Sequence, residues 1–252
     1  MTMEPGSEGT SIPDHKGEEY LEVLARIHTV LQPRTYVEVG TWTGNSLQLA
    51  SCRAIAVDPH FQITSDVIGT KPECHFYQMG GDAFFRVHSP RQIFGEPVDL
   101  AFLDGMHLFE FVLRDFINIE VQCSRNSIIA LHDCLPTDVY ITSRTNDPAE
   151  RARLSTRPGW WTGDVWKMLP ILRTFRPDLT IVCLNAFPTG LVLITGLYPE
   201  SRTLRDRYYE IVQQYRQVSL SEYGFAKFLS EAPLAETTRF RTIQDFGPTF
   251  WL

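Results

Sequence analysis

The feature that most constrains the fold is a short apolar strand that runs directly into two closely spaced glycines. Residues 36–39 have strand character, and Gly40 and Gly44 follow at once. A small polar residue, Asn45 or Ser46, can then cap a helix that has apolar residues behind it. In open α/β sheets, a strand, a glycine turn and a helix N-terminus in this order bind nucleotide-like ligands.

The spacing of these glycines restricts the ligand. A dinucleotide-binding turn has the pattern G-x-G-x-x-G, whereas here Glu38 precedes the pattern Gly40-x-x-x-Gly44. The missing pattern argues against a nicotinamide-dependent reductase. The acidic strand end instead favours a ligand that carries an amino group. A tight turn in some other kind of α/β protein is the structural alternative.

The composition is that of a globular protein with an acidic balance. Of the 252 residues, 43% are hydrophobic and 21% are charged, and the net charge is −7. Because no stripe of Lys and Arg offsets this charge, we expect no nucleic-acid partner. No apolar run is long enough to span a bilayer, so we expect no membrane association.

The N-terminus and the cysteines bear on the cellular location of the protein. Residues 1–17 are polar and lack the apolar segment of a signal peptide, which predicts a disordered lead-in. The five cysteines are scattered and never spaced as C-x-x-C. They indicate neither a disulfide framework nor a zinc site, and a reducing cytoplasmic location is expected.

Strands and helices alternate along the first half of the chain. Strands are predicted at residues 35–39, 53–57, 74–79, 98–103 and 127–131, with amphipathic helices before the first and after the fourth. Residues 179–184 and 190–195 then form a strand pair, and the C-terminal part is helical. This order predicts an α/β fold with a seven-stranded, mostly parallel sheet, an antiparallel edge strand and helices on both faces. Residues 18–252 are expected to form one domain.

Acidic residues follow the second and third predicted strands. Asp58-Pro59 lies about 20 residues beyond the end of the first strand, where a carboxylate can accept hydrogen bonds from both hydroxyls of a ribose. A turn aspartate before proline is the structural alternative. Gly81-Asp82 follows the third strand, and Asp82 is either a ligand-binding acceptor or the cap of the next helix.

Two polar pairs follow the fourth and fifth strands. Asp104 and His107 come after the strongest apolar run, and His132-Asp133 ends the next strand. Because consecutive parallel strands end at one edge of the sheet, these side chains are expected to lie together. Because imidazole ordinarily titrates near neutrality, His107 is the candidate general base. Packing or capping at the start of the next helix is its alternative role.

The stretch at residues 134–163 lacks apolar periodicity and is rich in arginine. A long insertion after a functional strand end is typical of a lid or binding loop. We expect Trp160 and Trp161 to provide apolar walls for a substrate and one or more arginines to meet a polar group on it. The alternative is a polar surface loop that has no role in binding.

Taken in order, these motifs resemble the class I methyltransferases that depend on S-adenosylmethionine (SAM). More narrowly, they resemble methyltransferase family 24, which includes macrolide-sugar O-methyltransferases. The resemblance covers roughly residues 20–196 and is carried by Glu38-x-Gly40-x-x-x-Gly44, Asp58, Gly81-Asp82, Asp104-Gly105-x-His107, His132-Asp133 and residues 163–167. It implies a Rossmann-like methyltransferase fold and SAM as the cofactor.

The resemblance also implies the functional residues. The SAM site would comprise Glu38, Gly40, Thr41, Gly44, Asn45, Ser46, Asp58, Pro59, Gly81, Asp82 and Asp104. The catalytic residues would be His107, Asp104 and His132, and a magnesium ion would be held by Asp104, His132 and Asp133. Imidazole suits softer metals than magnesium, so a different ion or a metal-free enzyme stays open.

The expected function is the transfer of a methyl group from SAM to a hydroxyl of a small molecule, such as a sugar or a secondary metabolite. The alternative is a SAM- or nucleoside-binding domain that transfers no methyl group and acts as a scaffold or regulatory partner. The histidines and aspartates at the strand ends favour the enzyme, because binding alone does not need them. The sequence is also compatible with a homo-oligomer.

Overall fold

A mixed β-sheet forms the centre of the computed structural model, which describes residues 10–252. Within this range the sheet has eight strands: β1 (Thr35–Val39), β2 (Arg53–Val57), β3 (Cys74–Tyr77), β4 (Val98–Leu103), β5 (Cys123–His132), β6 (Thr180–Leu184), β7 (Leu191–Thr195) and β8 (Leu234–Ala235). Their spatial order is β3-β2-β1-β4-β5-β7-β6-β8. Among the strands of residues 10–252, β7 alone is antiparallel to its neighbours, β5 and β6.

This sheet confirms the predicted α/β class and the hairpin of β6 and β7, and it differs from the prediction in two details. The antiparallel strand lies inside the sheet, because β6 adds beyond β7 instead of ending the sheet there. The sheet also has eight strands in the described range, not seven. The additional strand, β8, has two residues and pairs in parallel with β6. A pair of residues is too short to show the alternating pattern of a strand.

The helices pack on both faces of the sheet. They are α1 (Tyr20–Leu31), α2 (Gly81–Val87), α3 (Pro90–Phe94), α4 (Phe109–Glu120), α5 (Pro148–Leu154), α6 (Met168–Phe175), α7 (Thr203–Asp206), α8 (Tyr208–Tyr215), α9 (Leu220–Tyr223), α10 (Phe225–Glu231) and α11 (Ile243–Phe246). Short 3₁₀ turns occur at Leu47–Leu49, Val139–Thr142, Val165–Lys167 and Thr237–Arg239. Among residues 10–252, no helix combines the length and the apolar character needed to cross a membrane.

The helix expected after Gly44 is replaced by the 3₁₀ turn at Leu47–Leu49, and the Ser46 side chain makes no capping hydrogen bond there. The cause is chain length, because β2 already begins at Arg53. Too few residues separate the glycine turn from this strand to form a helix of several turns.

The two faces of the sheet have separate apolar cores. On one face, Val37 and Val39 of β1 pack in a cluster that includes residues of α4, α6 and α8. On the other face, Tyr36 packs with α1 and with three phenylalanines of the C-terminal segment, Phe240, Phe246 and Phe250. Since β1 and β4 are buried on both faces, they have nearly continuous apolar sequences.

The second half of the predicted lead-in is part of the fold. The backbone of Ile12 donates to the Thr137 carbonyl, and Gly17 donates to the Asn185 carbonyl at 3.0 Å. The prediction of disorder is therefore wrong for residues 10–17, because partners more than a hundred positions away in the chain satisfy their hydrogen bonds. Residues 1–9 lie outside the described range.

Candidate functional site

The polar residues singled out in the sequence stand along one edge of the sheet. The strands β2, β1, β4 and β5 are consecutive neighbours, so their carboxyl ends lie side by side. This edge is where open α/β sheets bind ligands. The glycine turn follows β1, Asp58 follows β2, and Asp104 follows β4, while His132 is the last residue of β5.

Four of these side chains form a compact group, which we call the strand-end cluster: Asp104, His107, His132 and Asp133. Nδ1 of His132 lies 3.2 Å from Asp104 Oδ1, and Nδ1 of His107 lies 3.2 Å from Asp133 Oδ2. The crossed pairs, His107 with Asp104 and His132 with Asp133, are each 3.6 Å apart. The convergence expected from the strand order is therefore present.

Each histidine of the cluster is oriented by groups outside it. Nδ1 of His107 donates to the Trp161 carbonyl at 2.8 Å, and the two rings stack with centroids 5.1 Å apart. The His132 ring stacks on Tyr20 with a centroid distance of 3.9 Å. The hydroxyl of Thr189 donates to Asp133 Oδ1 at 2.5 Å and lies 3.4 Å from His132 Nε2.

The charges of the cluster control its protonation. Burial alone lowers the pKa of His107, but the carboxylates of Asp133 and Asp104 outweigh this effect and raise it to about 9. The same balance raises the pKa of His132. Burial opposes ionisation of Asp104, yet His132 and His107 hold the pKa of this carboxyl below its usual value. At neutral pH His107 therefore carries a proton and is not ready to accept one.

The cluster also contains a set of potential metal ligands. Asp104, His107 and Asp133 each offer one ligand atom, and these atoms lie within 4.8 Å of one another. The sequence-based set contained His132 in place of His107. Asp133 adopts a left-handed backbone conformation (φ 59°) immediately after the strand, and His132 is occupied by its stacking on Tyr20. Two carboxylates and one imidazole form a mixed donor set that suits manganese or iron better than magnesium.

The glycine turn is determined mainly by packing within the protein. Gly40 and Gly44 have φ values of 91° and 84°, in the region that favours glycine. A side chain on Gly40 would collide with the backbone of Asp104 and Gly105, and one on Gly44 would collide with Val67. Gly40 therefore lets the turn after β1 approach the turn after β4, and Gly44 lets it approach the segment between β2 and β3.

Glu38 is enclosed beneath this turn. The Tyr36 hydroxyl donates to its Oε2 at 2.6 Å, while Oε1 has no hydrogen-bonding partner in the described part of the chain. Burial raises the pKa of Glu38 to about 7, although the hydrogen bond from Tyr36 opposes this shift. The hydroxyl of Thr41 is likewise buried without a partner among residues 10–252. Thr41 and Ser46 also oppose the shift in the pKa of Glu38, so the three side chains form one buried polar group beneath the turn.

Asp58 already binds backbone donors with both carboxylate oxygens. Trp42 N donates to Oδ2 at 2.8 Å, and His60 N donates to Oδ1 at 2.7 Å. This residue is buried and connects the glycine turn to the turn after β2. The neighbouring Pro59 is exposed. The structural role considered for Asp58 is therefore present, and each oxygen keeps a lone pair for a ligand.

The remaining candidates for ligand binding have partners elsewhere in the protein. Asp82 forms an ion pair with Arg114 of α4 at 2.6 Å and does not cap α2. A side chain on Gly81 would collide with the Asp115 carboxylate. Asn45 is exposed and accepts a hydrogen bond from the Ser65 hydroxyl at 2.7 Å.

Tyr20 and Thr189 are the site residues that the sequence did not reveal. Tyr20 begins α1, before the first strand, and Thr189 lies in the hairpin between β6 and β7. Burial, with the nearby charges of Asp104 and Asp133, raises the pKa of the Tyr20 hydroxyl. No local motif marks either residue. A tyrosine at the start of an amphipathic helix and a threonine between Pro and Gly are both ordinary.

Comparison with known protein families identifies a methyltransferase domain in this chain. Residues 37–134 match a family model described as a methyltransferase domain, of methyltransferase family 24. The match confirms, for these residues, the resemblance found in the sequence motifs. No curated protein sequence matches the chain significantly.

Solved structures share the fold at low sequence identity. A cofactor-bound protein from MTB is 14% identical, with a TM-score of 0.50 over 69% of this chain and 78% of that chain. The O-methyltransferase from Bacillus cereus in complex with SAH is 13% identical, with a TM-score of 0.49 over 73% and 83%. The SAH-bound Podospora anserina methyltransferase PaMTH1 is 16% identical, with a TM-score of 0.48 over 70% and 76%. The likeness to the protein from MTB agrees with the α/β fold of a Rossmann-like methyltransferase, and residues 37–134 carry a methyltransferase domain.

Proposed function

We propose that this protein transfers the methyl group of SAM to a hydroxyl of a small molecule. The observation that carries the proposal is the strand-end cluster, in which two histidines and two aspartates converge at the edge of the sheet beside the glycine turn. A hydroxyl is a very weak acid, so its methylation needs a group that takes or displaces its proton. Binding of SAM alone would not need such a cluster.

The residues around the glycine turn fit the amino acid part of SAM. The buried carboxyl of Glu38 and the hydroxyl of Thr41 beneath the turn would complement an ammonium group. Asp58 keeps acceptor capacity for the ribose hydroxyls. Gly81 and Asp82 follow β3, on the side of the sheet edge where the adenine is expected. SAM, when bound, supplies a methyl group on a positively charged sulfur.

A divalent cation held by Asp104, His107 and Asp133 is the second part of the proposal. Such an ion lowers the pKa of a bound hydroxyl. The protonation of the cluster supports this assignment, because the carboxylates of Asp133 and Asp104 raise the pKa of His107, with a further contribution from the Trp161 carbonyl. A cation among these carboxylates would replace the proton on His107. We propose manganese or iron(II) ahead of the magnesium expected from the family resemblance.

The acceptor would lie under the insertion at residues 134–163. Trp161 covers His107 from this side, and its Nε1 donates to the Ser143 carbonyl at 2.7 Å. Two of the four arginines of the insertion are engaged elsewhere. Arg144 pairs with Glu110 at 2.6 Å, and Arg157 pairs with Asp14. We therefore propose an apolar wall formed by Trp161 for the acceptor.

The first experiment measures SAM binding. Calorimetry with SAM and with S-adenosylhomocysteine should show binding to the wild-type protein. Glu38→Gln should weaken SAM binding about tenfold or more, because it removes the charge opposite the ammonium group. His60→Gln, an exposed change beside Asp58, serves as the control. Absence of binding to the wild type would refute the proposal.

The second experiment measures methyl transfer. Purified protein is incubated with SAM and a panel of hydroxylated acceptors, and products are identified by a mass gain of one methylene group. A chelator should abolish turnover, and added Mn²⁺ or Fe²⁺ should restore it. Asp133→Asn should lower the rate at least about a hundredfold while SAM affinity stays nearly unchanged. SAM binding without product from any acceptor, with every ion, would favour the binding-domain alternative.

A further inference from the structure

A cavity lined by both charged and apolar side chains lies beside the insertion, apart from the strand-end cluster. It has a volume of about 320 Å³ and is bounded by the insertion, the turn at Val165–Lys167 and residues 216–221. Its walls in the described part of the chain include none of the four cluster residues. This volume lies at the lower end of the range of about 300–1,000 Å³ that is typical of small-molecule sites.

Positive charge predominates around this cavity. Four basic side chains line it, against two carboxylates: Arg144, Arg151, Lys167 and Arg216, against Glu150 and Asp164. Nζ of Lys167 is buried and lies 2.8 Å from Asp164 Oδ2, an oxygen that also pairs with Arg144. Arg216 is exposed, and its guanidinium pairs with no carboxylate of residues 10–252. Glu110, which pairs with Arg144 at 2.6 Å, and Asp164 thus compensate Arg144 and Lys167, whereas Arg151 and Arg216 pair with no carboxylate in the described part of the chain.

Two buried donors in the cavity walls lack acceptors. Arg151 is only 5% exposed, and its Nη1 has no hydrogen-bonding partner among the described residues. Nε of the same side chain donates to the Pro158 carbonyl at 3.2 Å, which fixes the guanidinium in place. Trp166 is fully buried, and within the same range its Nε1 is also unpartnered. Both groups can only donate, and leaving such groups unpaired costs about 1–3 kcal/mol each.

We propose that this cavity binds a small organic anion through its carboxylate or phosphate group. An oxyanion supplies the acceptor atoms that Arg151 and Trp166 lack and the negative charge that the basic side chains need. Apolar side chains also line the cavity, namely Val139, Leu154 and Leu220, and they suit the carbon skeleton of such a ligand. The site is independent of methyl transfer, because binding requires neither SAM nor the strand-end cluster.

The cavity nevertheless adjoins the region around His107. Asp164, which forms part of its wall, donates through its backbone to the His107 carbonyl at 3.2 Å and accepts from Phe109 N at 2.8 Å. Ser143, another wall residue, accepts the hydrogen bond of the Trp161 indole. A ligand in the cavity would therefore contact the residues that support the insertion against the cluster.

The test is calorimetry on the full chain with two probes, inorganic phosphate and acetate, at constant ionic strength maintained with chloride. Wild-type protein should bind at least one probe, and the probe that binds identifies the oxyanion. Arg151→Gln should weaken binding about tenfold or more, because it removes a charged, buried donor. Arg216→Gln should weaken it several-fold. Arg205→Gln, the same change on the exposed surface of α7, is the matched control and should bind like the wild type.

Two variants, Arg151→Gln and Arg216→Gln, are used because one of them could fail to fold. Arg151 is buried and its loss can disturb the insertion, whereas Arg216 is exposed and its replacement leaves the fold intact. If Arg151→Gln does not fold, Arg216→Gln alone decides the outcome. The proposal is overturned if the wild type binds neither probe, or if every folded variant binds as tightly as the wild type. Loss of methyl transfer plays no part in either result.

Discussion

At the scale of single residues, the sequence predicted which side chains lie at the site better than it predicted their protonation states. Asp104 and His107 could be assigned to the site because they follow a strong apolar strand. The charge on His107 could not, since it depends on Asp133, which comes from the next strand. Nor could sequence spacing reveal Tyr20, whose ring covers His132 from a helix that precedes the sheet. Such effects depend on distances between residues that are far apart in the chain.

Asp115 of α4 gives a prediction at this scale. Burial is the main reason that its pKa is raised to about 8, and the negative charge of Asp82 adds to it. An acid whose pKa is raised in the folded state binds more protons there than in the unfolded state. The free energy of unfolding therefore falls as pH rises from about 4 to 8. Asp115→Asn should remove this loss and stabilise the protein by about 2–4 kcal/mol at pH 7.

Urea unfolding of both proteins at pH 5 and pH 8 measures this effect. The advantage of Asp115→Asn should be small at pH 5 and large at pH 8. Asp206→Asn, at an exposed position of α7, should show no comparable gain at either pH. A difference between wild type and Asp115→Asn that does not change with pH would mean that the buried carboxyl is not the cause.

At the scale of elements, the strands were predicted best. The bounds of β1, β2 and β4 agree with the predicted ranges, because each is an apolar run buried on both faces. The elements that the sequence did not predict are short. The 3₁₀ turn at Leu47–Leu49 replaced a helix, and β8 had no signal of its own. Strand pairing and chain length decide these elements, and neither is visible in local composition.

The insertion is also more closely integrated than its polar sequence indicated. Ile141 is fully buried, and Leu135 packs where a side chain on Gly190 would collide with it. Deletion of the whole segment would therefore damage the fold, and it would not isolate a lid function. A change confined to the surface that faces His107 is the more informative test.

Trp161→Ala is that change. It removes the ring that stacks on His107 and the hydrogen bond from Nε1 to Ser143. Since stacking and one hydrogen bond each contribute about 1 kcal/mol, kcat/KM for the acceptor should fall roughly tenfold or more. SAM affinity measured by calorimetry should remain within about twofold of the wild type.

Trp160→Ala serves as the matched control, because Trp160 packs against Phe187, whereas within residues 10–252 it is Trp161 that stacks on the His107 ring. It should lower kcat/KM less than Trp161→Ala does. Equal losses of SAM affinity and of turnover in Trp161→Ala would instead show that the insertion supports the cofactor site.

At the scale of the whole molecule, segments from both ends of the chain complete the structure. Residues 10–17 bond to the loops after β5 and β6, and Thr237 near the C-terminus accepts a hydrogen bond from the backbone of Glu18 at 3.0 Å. Arg26 of α1 reaches the Phe240 carbonyl at 3.1 Å. The sequence indicated a helical extension with an aromatic tail but not its packing place, because nothing local specifies which sheet face it covers.

The aromatic tail should therefore be essential for stability. Phe246 is fully buried, with its ring centroid 5.2 Å from that of Phe240 and 6.2 Å from that of Phe250. Phe246→Ala should reduce the free energy of unfolding by about 3–5 kcal/mol, a large share of the 5–15 kcal/mol typical of folded proteins. Trp251→Ala, at a site 53% exposed, should change it by less than about 0.5 kcal/mol. Urea unfolding measures both; similar small losses would show that the tail does not belong to the cooperative core.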